Sequence, residues 1–98
     1  MIQFADGALD DLELIFGFNL GADADWAVRQ IEAIRSAVNI LEQHPRIGRA
    51  LPGSDDIREL VISAGKTGFI ALYQYDALGG LVRVLAVRHQ REAGYRGR

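Results

Sequence analysis

Cysteine is absent from this 98-residue chain, and proline, tryptophan and methionine are scarce. Without a thiol the chain has neither a disulfide framework nor a thiolate metal site, which fits a reducing compartment. No apolar run approaches the roughly eighteen residues that a membrane span needs. The first residues also lack the basic and apolar stretches of a secretion signal. We therefore expect a cytoplasmic protein that does not associate with a membrane.

The spaced motifs of several large enzyme classes are also missing. The sequence contains no nucleophile elbow, no phosphate-binding loop of the Walker type, no dinucleotide-binding glycine pattern and no zinc-protease helix motif. The two histidines, His44 and His89, lie far apart in the chain, so a zinc site has few ligands available. We expect no metal and no cofactor.

The composition, with 49% hydrophobic and 24% charged residues, is that of one ordinary globular domain covering residues 1–98. The net charge of −2 conceals an uneven distribution. Residues 1–43 carry two arginines against eight acidic residues, whereas residues 44–98 carry nine basic residues, eight of them arginine, against five acidic ones. Because arginine binds phosphate and carboxylate groups well, the second half of the chain could present one face to an anion.

Two amphipathic segments predict a pair of helices that follow a short strand at Met1–Phe4. In both segments the apolar residues recur at steps of three and four, and Gly21 is a suitable end for the first helix. Asp23 or Asp25 can cap the second helix. This helix should end near His44, because the proline that follows disfavours helical geometry in the residue before it.

The second half of the chain predicts strands. A loop rich in proline and glycine follows the second helix, and three segments with β-branched residues come after it, Ile57–Ala64, Gly68–Asp76 and Leu81–Val87. The short links between them indicate antiparallel neighbours, with the last strand at the centre of the sheet. The expected fold class is α+β with the order β-α-α-β-β-β. A helical hairpin should cover one face of a small antiparallel sheet.

Basic and titratable side chains lie in the last predicted strand and directly after it, namely Arg83, Arg88, His89, Arg91 and Tyr95. Such a set could hold a phosphate, with the imidazole as acid or base and the arginines stabilising the transition state of metal-independent RNA cleavage. The same residues could equally be solvated charges at the end of a strand. The alternation of a strand predicts Arg83 and His89 on one face and Arg88 on the other.

The order of these elements and four sequence segments together resemble the RelE/ParE superfamily of bacterial type II toxins, which are encoded beside a cognate antitoxin. The segments are EQHPRIGRALP after the second helix, IRELVI in the second strand, YQYD in the third and VLAVRHQREAGY at the end. The resemblance extends over nearly the whole chain and implies the same α+β fold.

The resemblance implies two alternative activities. Members similar to RelE are ribosome-dependent endoribonucleases that cut mRNA, and on that interpretation Arg83, His89 and Tyr95 would be the catalytic residues. Members similar to ParE, a plasmid stabilisation family, share the fold but inhibit DNA gyrase. The stretch GSDDIRELVIS carries a single arginine, Arg58, where the nucleases are basic, and ribosome binding requires many phosphate contacts. We therefore favour the gyrase inhibitor and keep the nuclease as the alternative.

The resemblance also implies partners. A cognate antitoxin protein should dock on the helical hairpin and form a hetero-oligomer with the chain. The target should be DNA gyrase, or the ribosome and mRNA on the alternative interpretation. A third possibility is that the chain acts chiefly as one half of a complex that represses its own operon. The residues expected to contact the target are Arg58, Arg88 and Arg91. Those expected to contact the antitoxin are Leu9, Leu12, Phe16, Ile31, Ile34 and Val38.

Overall fold

The computed structural model describes residues 1–21 and 23–95. Arg96 and Arg98, counted above in the basic half of the chain, lie outside the described residues. In chain order the elements are β1 (Ile2–Phe4), α1 (Asp6–Leu20), α2 (Ala24–Asn39), a turn of 3-10 helix (Ile40–Glu42), β2 (Arg49–Ala50), β3 (Ile57–Ala64), β4 (Thr67–Asp76) and β5 (Leu81–His89).

The strands of the described residues form one sheet in the order β1-β5-β4-β3-β2. Neighbouring strands from β2 to β5 are antiparallel, whereas β1 pairs with β5 in parallel. The two helices pack on one face of this sheet. The predicted α+β fold with a helical hairpin on one face is therefore confirmed.

Three details of the sheet differ from the prediction. β2 lies in the segment predicted to be a loop, because a two-residue strand is too short to show any periodic pattern. β1 is parallel to its neighbour, since the chain passes through both helices before it returns to the sheet. The central strand is β4 and not β5, because only β1 lies beyond β5, whereas both β3 and β2 lie on the other side of β4.

The core lies between the helical hairpin and the sheet. Ile34 and Val38 of α2 and Phe69 and Tyr73 of β4 are almost completely buried there. Each side chain of this size contributes roughly 1.5–3 kcal/mol when it is removed from water. The apolar stripe of each helix faces this core, as amphipathic helices in globular proteins do.

The second helix begins at Asp23, one of the two caps that the sequence allows. The Oδ1 atom of Asp23 accepts hydrogen bonds from the backbone N–H groups of Asp25 at 2.9 Å and Trp26 at 3.3 Å. These bonds satisfy two N–H groups that the first turn of a helix leaves without partners. The regular helix ends at Asn39, and the 3-10 turn through Glu42 carries the chain towards the proline.

Candidate functional site

An extra residue in β5 decides where the side chains at the end of this strand point. Ala86 lies opposite Leu72 and Val84 lies opposite Tyr73, so Leu85 is inserted between two consecutive pairs. Such a β-bulge interrupts the alternation of side chains between the two faces of a sheet. The residues before and after Leu85 therefore follow different alternation patterns.

The bulge reverses the predicted arrangement of charged side chains. Arg83 and Arg88 lie opposite Gln74 and Ile70, two residues of β4 on the open face of the sheet. His89 lies opposite a buried phenylalanine on the face that the helices cover. The prediction that Arg83 and His89 share a face, with Arg88 on the other, is therefore wrong. The physical reason is that one inserted residue shifts a period-two pattern to the opposite face.

A buried carboxylate holds the backbone of β5 just beyond the bulge. β1 ends opposite Val84 and does not reach the following part of β5. The Oδ2 atom of Asp11, on α1, accepts a hydrogen bond from the backbone N–H of Val87 at 2.9 Å. A side-chain oxygen thus accepts the hydrogen bond that a neighbouring strand would otherwise accept. Without it this buried N–H would lose a partner, at a cost of about 1–3 kcal/mol.

Both ring nitrogens of His89 make hydrogen bonds within the chain. Nδ1 accepts from the backbone N–H of Arg91 at 3.0 Å, and Nε2 is bonded to the hydroxyl of Thr67. Because Nδ1 is the acceptor, this network assigns the proton of the neutral ring to Nε2, which donates to Thr67. The ring also makes an edge-on contact with Phe69, with 5.5 Å between centroids. The imidazole is thus held in one orientation.

The tail after β5 folds over the open face of the sheet. The hydroxyl of Tyr95 donates to Oε2 of Glu59, on β3, at 2.5 Å. Burial raises the pKa of the Tyr95 phenol, and the hydrogen bond to the Glu59 carboxylate raises it further. The same hydrogen bond lowers the pKa of Glu59, with an additional contribution from the Arg49 guanidinium. At neutral pH the pair is therefore a neutral phenol that donates to a carboxylate.

Arg88 stabilises the same tail. Its guanidinium carbon lies 5.1 Å from the centroid of the Tyr95 ring, which is a cation–π distance. Its Nη1 atom donates to the backbone carbonyl of Glu92 at 2.7 Å and makes a longer contact of 3.5 Å with that of Gln90. The guanidinium is therefore engaged in holding the turn that follows β5.

Arg58 and Tyr73 fasten the loop before β2 in a similar way. Nη1 of Arg58 donates to the carbonyl oxygens of Arg46 at 3.1 Å and Gly48 at 2.8 Å. The Tyr73 hydroxyl accepts from the N–H of Gly48 at 2.9 Å and donates to the carbonyl of Pro45 at 2.8 Å. Burial raises the pKa of Tyr73. A Cβ atom on Gly48 would lie 2.5 Å from the Tyr73 hydroxyl, so this close approach requires glycine.

The remaining two arginines of the predicted cluster, Arg83 and Arg91, have exposed side chains. Arg83 lies between Gln3 of β1 and Gln74 of β4 on the open face. It is roughly 15 Å from Arg88 along the strand, at about 3.3 Å per residue. The five predicted side chains consequently do not form one site. The structure brings together only Arg88 with Tyr95, and His89 with the backbone of Arg91.

The six residues predicted to contact an antitoxin fall into two groups, of which one is buried and the other is accessible. Ile34 and Val38 are 0% and 1% exposed and belong to the core, so a partner cannot reach them and the prediction is corrected for both. The physical reason is that the apolar stripe that identifies an amphipathic helix is the face that packs inward. The other four retain accessible surface, although some also pack against the core. They are Leu9, Leu12, Phe16 and Ile31.

Three polar residues take part in these arrangements although no sequence motif identified them: Asp11, Glu59 and Thr67. A fourth polar residue without a motif, Gln30 of α2, is buried. Asp11 and Gln30 are buried polar residues at apolar positions of their helices. A polar residue inside an apolar stripe is the signal that could have found these two. The partners of Glu59 and Thr67 depend on strand register and on the path of the tail, so no local pattern reveals them.

Within residues 1–21 and 23–95, no group of three or more histidine, aspartate or glutamate side chains is placed to hold a metal ion. The helices in this part of the chain are too short or too polar to cross a membrane.

Comparisons with known proteins agree with this fold. The family model described as the ParE toxin of the type II toxin–antitoxin system parDE matches residues 2–94. The chain is similar to a structure of the chromosomal ParDE system from P. aeruginosa, with a TM-score of 0.71 and 19% identity over 90% of this chain and 92% of that one. It is also similar to the intact E. coli RelBE toxin–antitoxin complex, with a TM-score of 0.66 and 17% identity over 94% and 98% of the two chains. No curated protein matches the sequence.

Proposed function

We propose a function from one premise, that this chain belongs to the family of ParE toxins of type II toxin–antitoxin systems. It is a toxin of the RelE/ParE superfamily. We infer that it inhibits DNA gyrase in the cytoplasm. We also infer that a cognate antitoxin neutralises it in a hetero-oligomer. The family favours gyrase over the ribosome as the target, and the arrangement of side chains at the end of β5 supports the same choice.

The observation that carries the proposal is the separation of the three groups that a nuclease would use. General acid–base catalysis requires the acid and the base within hydrogen-bond reach of the reacting atoms. His89 lies on the helix-covered face with both ring nitrogens engaged, whereas Arg83 and Tyr95 lie on the open face. The raised pKa of Tyr95 also makes its phenolate harder to form. This arrangement supports a toxin that binds its target without cleaving RNA.

The charges near Tyr95 also support a protein target. A phosphate that approached the phenol would meet the carboxylate of Glu59, which carries its negative charge at neutral pH. Two of the three arginines predicted to contact the target, Arg58 and Arg88, donate to backbone carbonyls of their own chain. Arg91 is the member of this set whose side chain is exposed. We therefore assign target contact to Arg91 first.

Two assays test the choice of target. One measures supercoiling by purified DNA gyrase, and the other measures mRNA cleavage in translating ribosomes. We expect inhibited supercoiling and intact mRNA. Tyr95→Phe removes only the hydroxyl and should leave gyrase inhibition nearly unchanged. A nuclease that used the phenol as acid or base would instead lose about 10²–10⁴ in rate. Cleavage of mRNA that depends on this hydroxyl would contradict the proposal.

Charge reversal tests the contact residue. Arg91→Glu should weaken inhibition of gyrase by about tenfold or more at low salt, because interface charges steer association and fix orientation. Arg35→Glu is the matched control, since Arg35 is exposed on α2 and the change in net charge is identical. Equal inhibition by both variants would remove Arg91 from the interface.

The antitoxin should dock on the accessible side of α1. Leu9 is 47% exposed, and Phe16 is half-buried, so both offer apolar surface to a partner. Leu12 is less suitable for a test because it packs against the core. We expect Leu9→Ala and Phe16→Ala each to weaken the complex with the cognate antitoxin by roughly tenfold. Leu78→Ala, at a fully exposed position after β4, is the control. Unchanged affinity in both α1 variants would exclude this surface.

A further inference from the structure

The loop before β2, residues 43–48, is fastened to the sheet by two side chains. Tyr73 and Arg58 each make two hydrogen bonds to its backbone. Within the loop, the N–H of Ile47 donates to the carbonyl of His44 at 3.1 Å. The backbone of this loop is therefore fixed before any partner binds. Binding residues are often found on loops that a rigid scaffold positions in this way.

This fixed loop exposes an apolar side chain. Ile47 is 58% exposed, although the residue that follows it, Gly48, is buried. A single exposed apolar residue is common on protein surfaces and needs no explanation by itself. Here, however, the backbone on both sides of Ile47 is already held by hydrogen bonds, so a partner that covers it orders little additional chain. The loop thus presents Ile47 as a preorganised apolar anchor.

Two arginines flank Ile47 in the chain. The guanidinium carbon of Arg46 lies 5.0 Å from the centroid of the Tyr75 ring, and Nη2 of Arg49 lies 3.1 Å from Oε1 of Glu59. Both side chains nevertheless remain exposed, that of Arg49 by 82%. These contacts orient the guanidinium groups and leave several of their N–H donors free for a partner. The loop itself contains no acidic residue, so its surface is apolar and positively charged.

Such a surface is complementary to an acidic protein surface that contains a small apolar pocket. Positive and negative patches face each other across protein interfaces, and arginine is enriched among the residues that contribute most to binding. A nucleic-acid backbone would also attract the two arginines, but it consists of charged phosphates and polar sugars and offers no apolar pocket for Ile47. We therefore favour a protein partner over a nucleic acid.

The charge of α1 distinguishes the target from the antitoxin as this partner. α1 contains no basic residue, and its acidic side chains at Asp6, Asp10 and Glu13 are exposed. An antitoxin segment complementary to α1 would be positively charged, and Arg46 and Arg49 would repel it. The helix and the loop therefore suit partners of opposite charge. Because the antitoxin is assigned to α1, the loop is left for the target.

We propose that the loop before β2 contacts the target of the toxin. In this complex Ile47 fills an apolar pocket, and Arg46 and Arg49 lie opposite carboxylates of an acidic protein surface. The proposal rests on the function proposed above, because it requires that the toxin binds a protein target. It adds a second contact to Arg91 and states the chemistry of the surface that the toxin recognises.

Ile47→Ala tests the apolar anchor with two readouts. Supercoiling by purified gyrase should require about tenfold or more of this variant for half-inhibition. Growth arrest after induction without antitoxin reports the target whatever its identity, and it should be relieved. Leu78→Ala, at another exposed apolar residue, is the control and should act as wild type. Full growth arrest by Ile47→Ala would overturn the proposal. Growth arrest that depends on Ile47 without inhibition of gyrase would support the loop and contradict gyrase as the target.

Ile47→Lys separates a protein partner from a nucleic acid. In an apolar pocket the ammonium group would be buried without a partner, so this variant should lose growth arrest and gyrase inhibition. On a phosphate backbone the additional cation would instead strengthen binding. The side chain is exposed in the free protein, so the midpoint of urea unfolding should stay that of wild type. Stronger growth arrest by Ile47→Lys would contradict the apolar pocket.

A pair of double variants tests the acidic surface. Arg46→Gln combined with Arg49→Gln should weaken inhibition about tenfold at low salt, and the loss should shrink as salt rises. The matched control is Arg29→Gln combined with Arg35→Gln, at exposed positions of α2 with the same change in net charge. Arg29 also lies over an aromatic ring, that of Trp26, at 5.6 Å. Equal inhibition by the two double variants would remove the acidic surface from the proposal.

Affinity for the cognate antitoxin completes the test. Ile47→Ala should bind the antitoxin as tightly as wild type, because the loop and α1 are assigned to different partners. Weaker antitoxin binding by this variant together with full growth arrest would assign the loop to the antitoxin and overturn the proposal. Leu9→Ala should show the opposite pattern, with weaker antitoxin binding and full growth arrest. The two variants therefore distinguish failure of the loop from failure of the antitoxin surface.

Discussion

Two tyrosine–arginine pairs in this molecule are built alike but depend on different chemistry. Tyr73 and Arg58 hold the loop before β2, and Tyr95 and Arg88 hold the tail after β5. In both pairs the arginine donates to backbone carbonyls. The Tyr73 hydroxyl is buried and bonds only to backbone groups, whereas the half-buried Tyr95 donates to the carboxylate of Glu59. The hydrogen bonds of Tyr73 therefore do not depend on the ionisation of a partner. The hydrogen bond of Tyr95 depends on the charge of the Glu59 carboxylate.

The comparison also shows why several arginines near the end of a strand do not by themselves indicate a binding site. A loop or tail that leaves a sheet exposes several carbonyl oxygens, and an arginine nearby can satisfy them with its fixed fork of donors. Arg58 and Arg88 are used in this way. An arginine that the sequence predicts to bind a target can thus instead stabilise a loop or tail of its own chain.

Gly48→Ala should have the largest effect on stability, because it disrupts the packing of the loop before β2 against Tyr73. The added Cβ would lie 2.5 Å from the Tyr73 hydroxyl oxygen and 2.8 Å from the backbone oxygen of Glu59. We expect the free energy of unfolding, measured with urea, to fall by about 2–3 kcal/mol. Gly17→Ala, in α1 with open space around it, is the control and should raise that free energy by about 0.5–1 kcal/mol. Similar effects at both positions would show that the loop does not pack on Tyr73.

Tyr73→Phe should lower the free energy of unfolding by about 1.5–3 kcal/mol, because it leaves the buried N–H of Gly48 and the partly buried carbonyl of Pro45 without this partner. Tyr75→Phe is the matched control in the same strand. The Tyr75 hydroxyl makes no hydrogen bond to the described residues, so its loss should change stability by less than about 0.5 kcal/mol. A Tyr73→Phe effect no larger than the control would mean that the hydroxyl is not bonded in solution.

Arg58→Met keeps the apolar stem but removes the two bonds to loop carbonyls, and should cost about 1–2 kcal/mol. Arg83→Met, on the open face, should stay within about 0.5 kcal/mol of wild type. Because Arg58 and Tyr73 hold the same loop, combining Arg58→Met with Tyr73→Phe should depart from additivity by more than about 0.5 kcal/mol. Strict additivity in this double-mutant cycle would indicate that the two residues act separately.

Tyr95→Phe should have the smallest effect, about 0.5–1 kcal/mol at pH 7, because its hydrogen bond is partly open to solvent. The effect should depend on pH. Folding lowers the pKa of Glu59, so the stabilisation is present above the unfolded pKa of this carboxyl and is lost as pH falls through the folded value. Folding raises the pKa of Tyr95, so in alkali the stabilisation is lost as pH rises through that folded value.

Urea denaturation of wild type and Tyr95→Phe at neutral and acidic pH measures this dependence. The difference between the two proteins should be greatest near neutral pH and should disappear once Glu59 is protonated. The Tyr73→Phe difference should persist in acid as long as the protein remains folded, because its partners are backbone groups. A Tyr95→Phe effect that is constant in acid would mean that Glu59 is not the acceptor.

Local sequence patterns predicted most of the elements because those patterns are themselves local. Steps of three and four residues located both helices, and Ile57–Ala64 was predicted with its observed bounds. The cap of α2 was likewise narrowed to Asp23 or Asp25, since a capping side chain bonds to backbone groups two and three residues away, and the structure shows that Asp23 is the cap. The short strand β2 and the bulge at Leu85 could not be predicted from the sequence, because both exist only through pairing with another strand.

The sequence by itself determined the fold class, the positions of the helices and long strands, and the family to which the chain belongs, because apolar periodicity and residue order are carried along the chain. Only the tertiary structure decided which side chains meet. One inserted residue at Leu85 separates His89 from Arg83, and the path of the tail brings Tyr95 to Glu59. Strand register and tail path result from packing between distant segments, so no local pattern contains them.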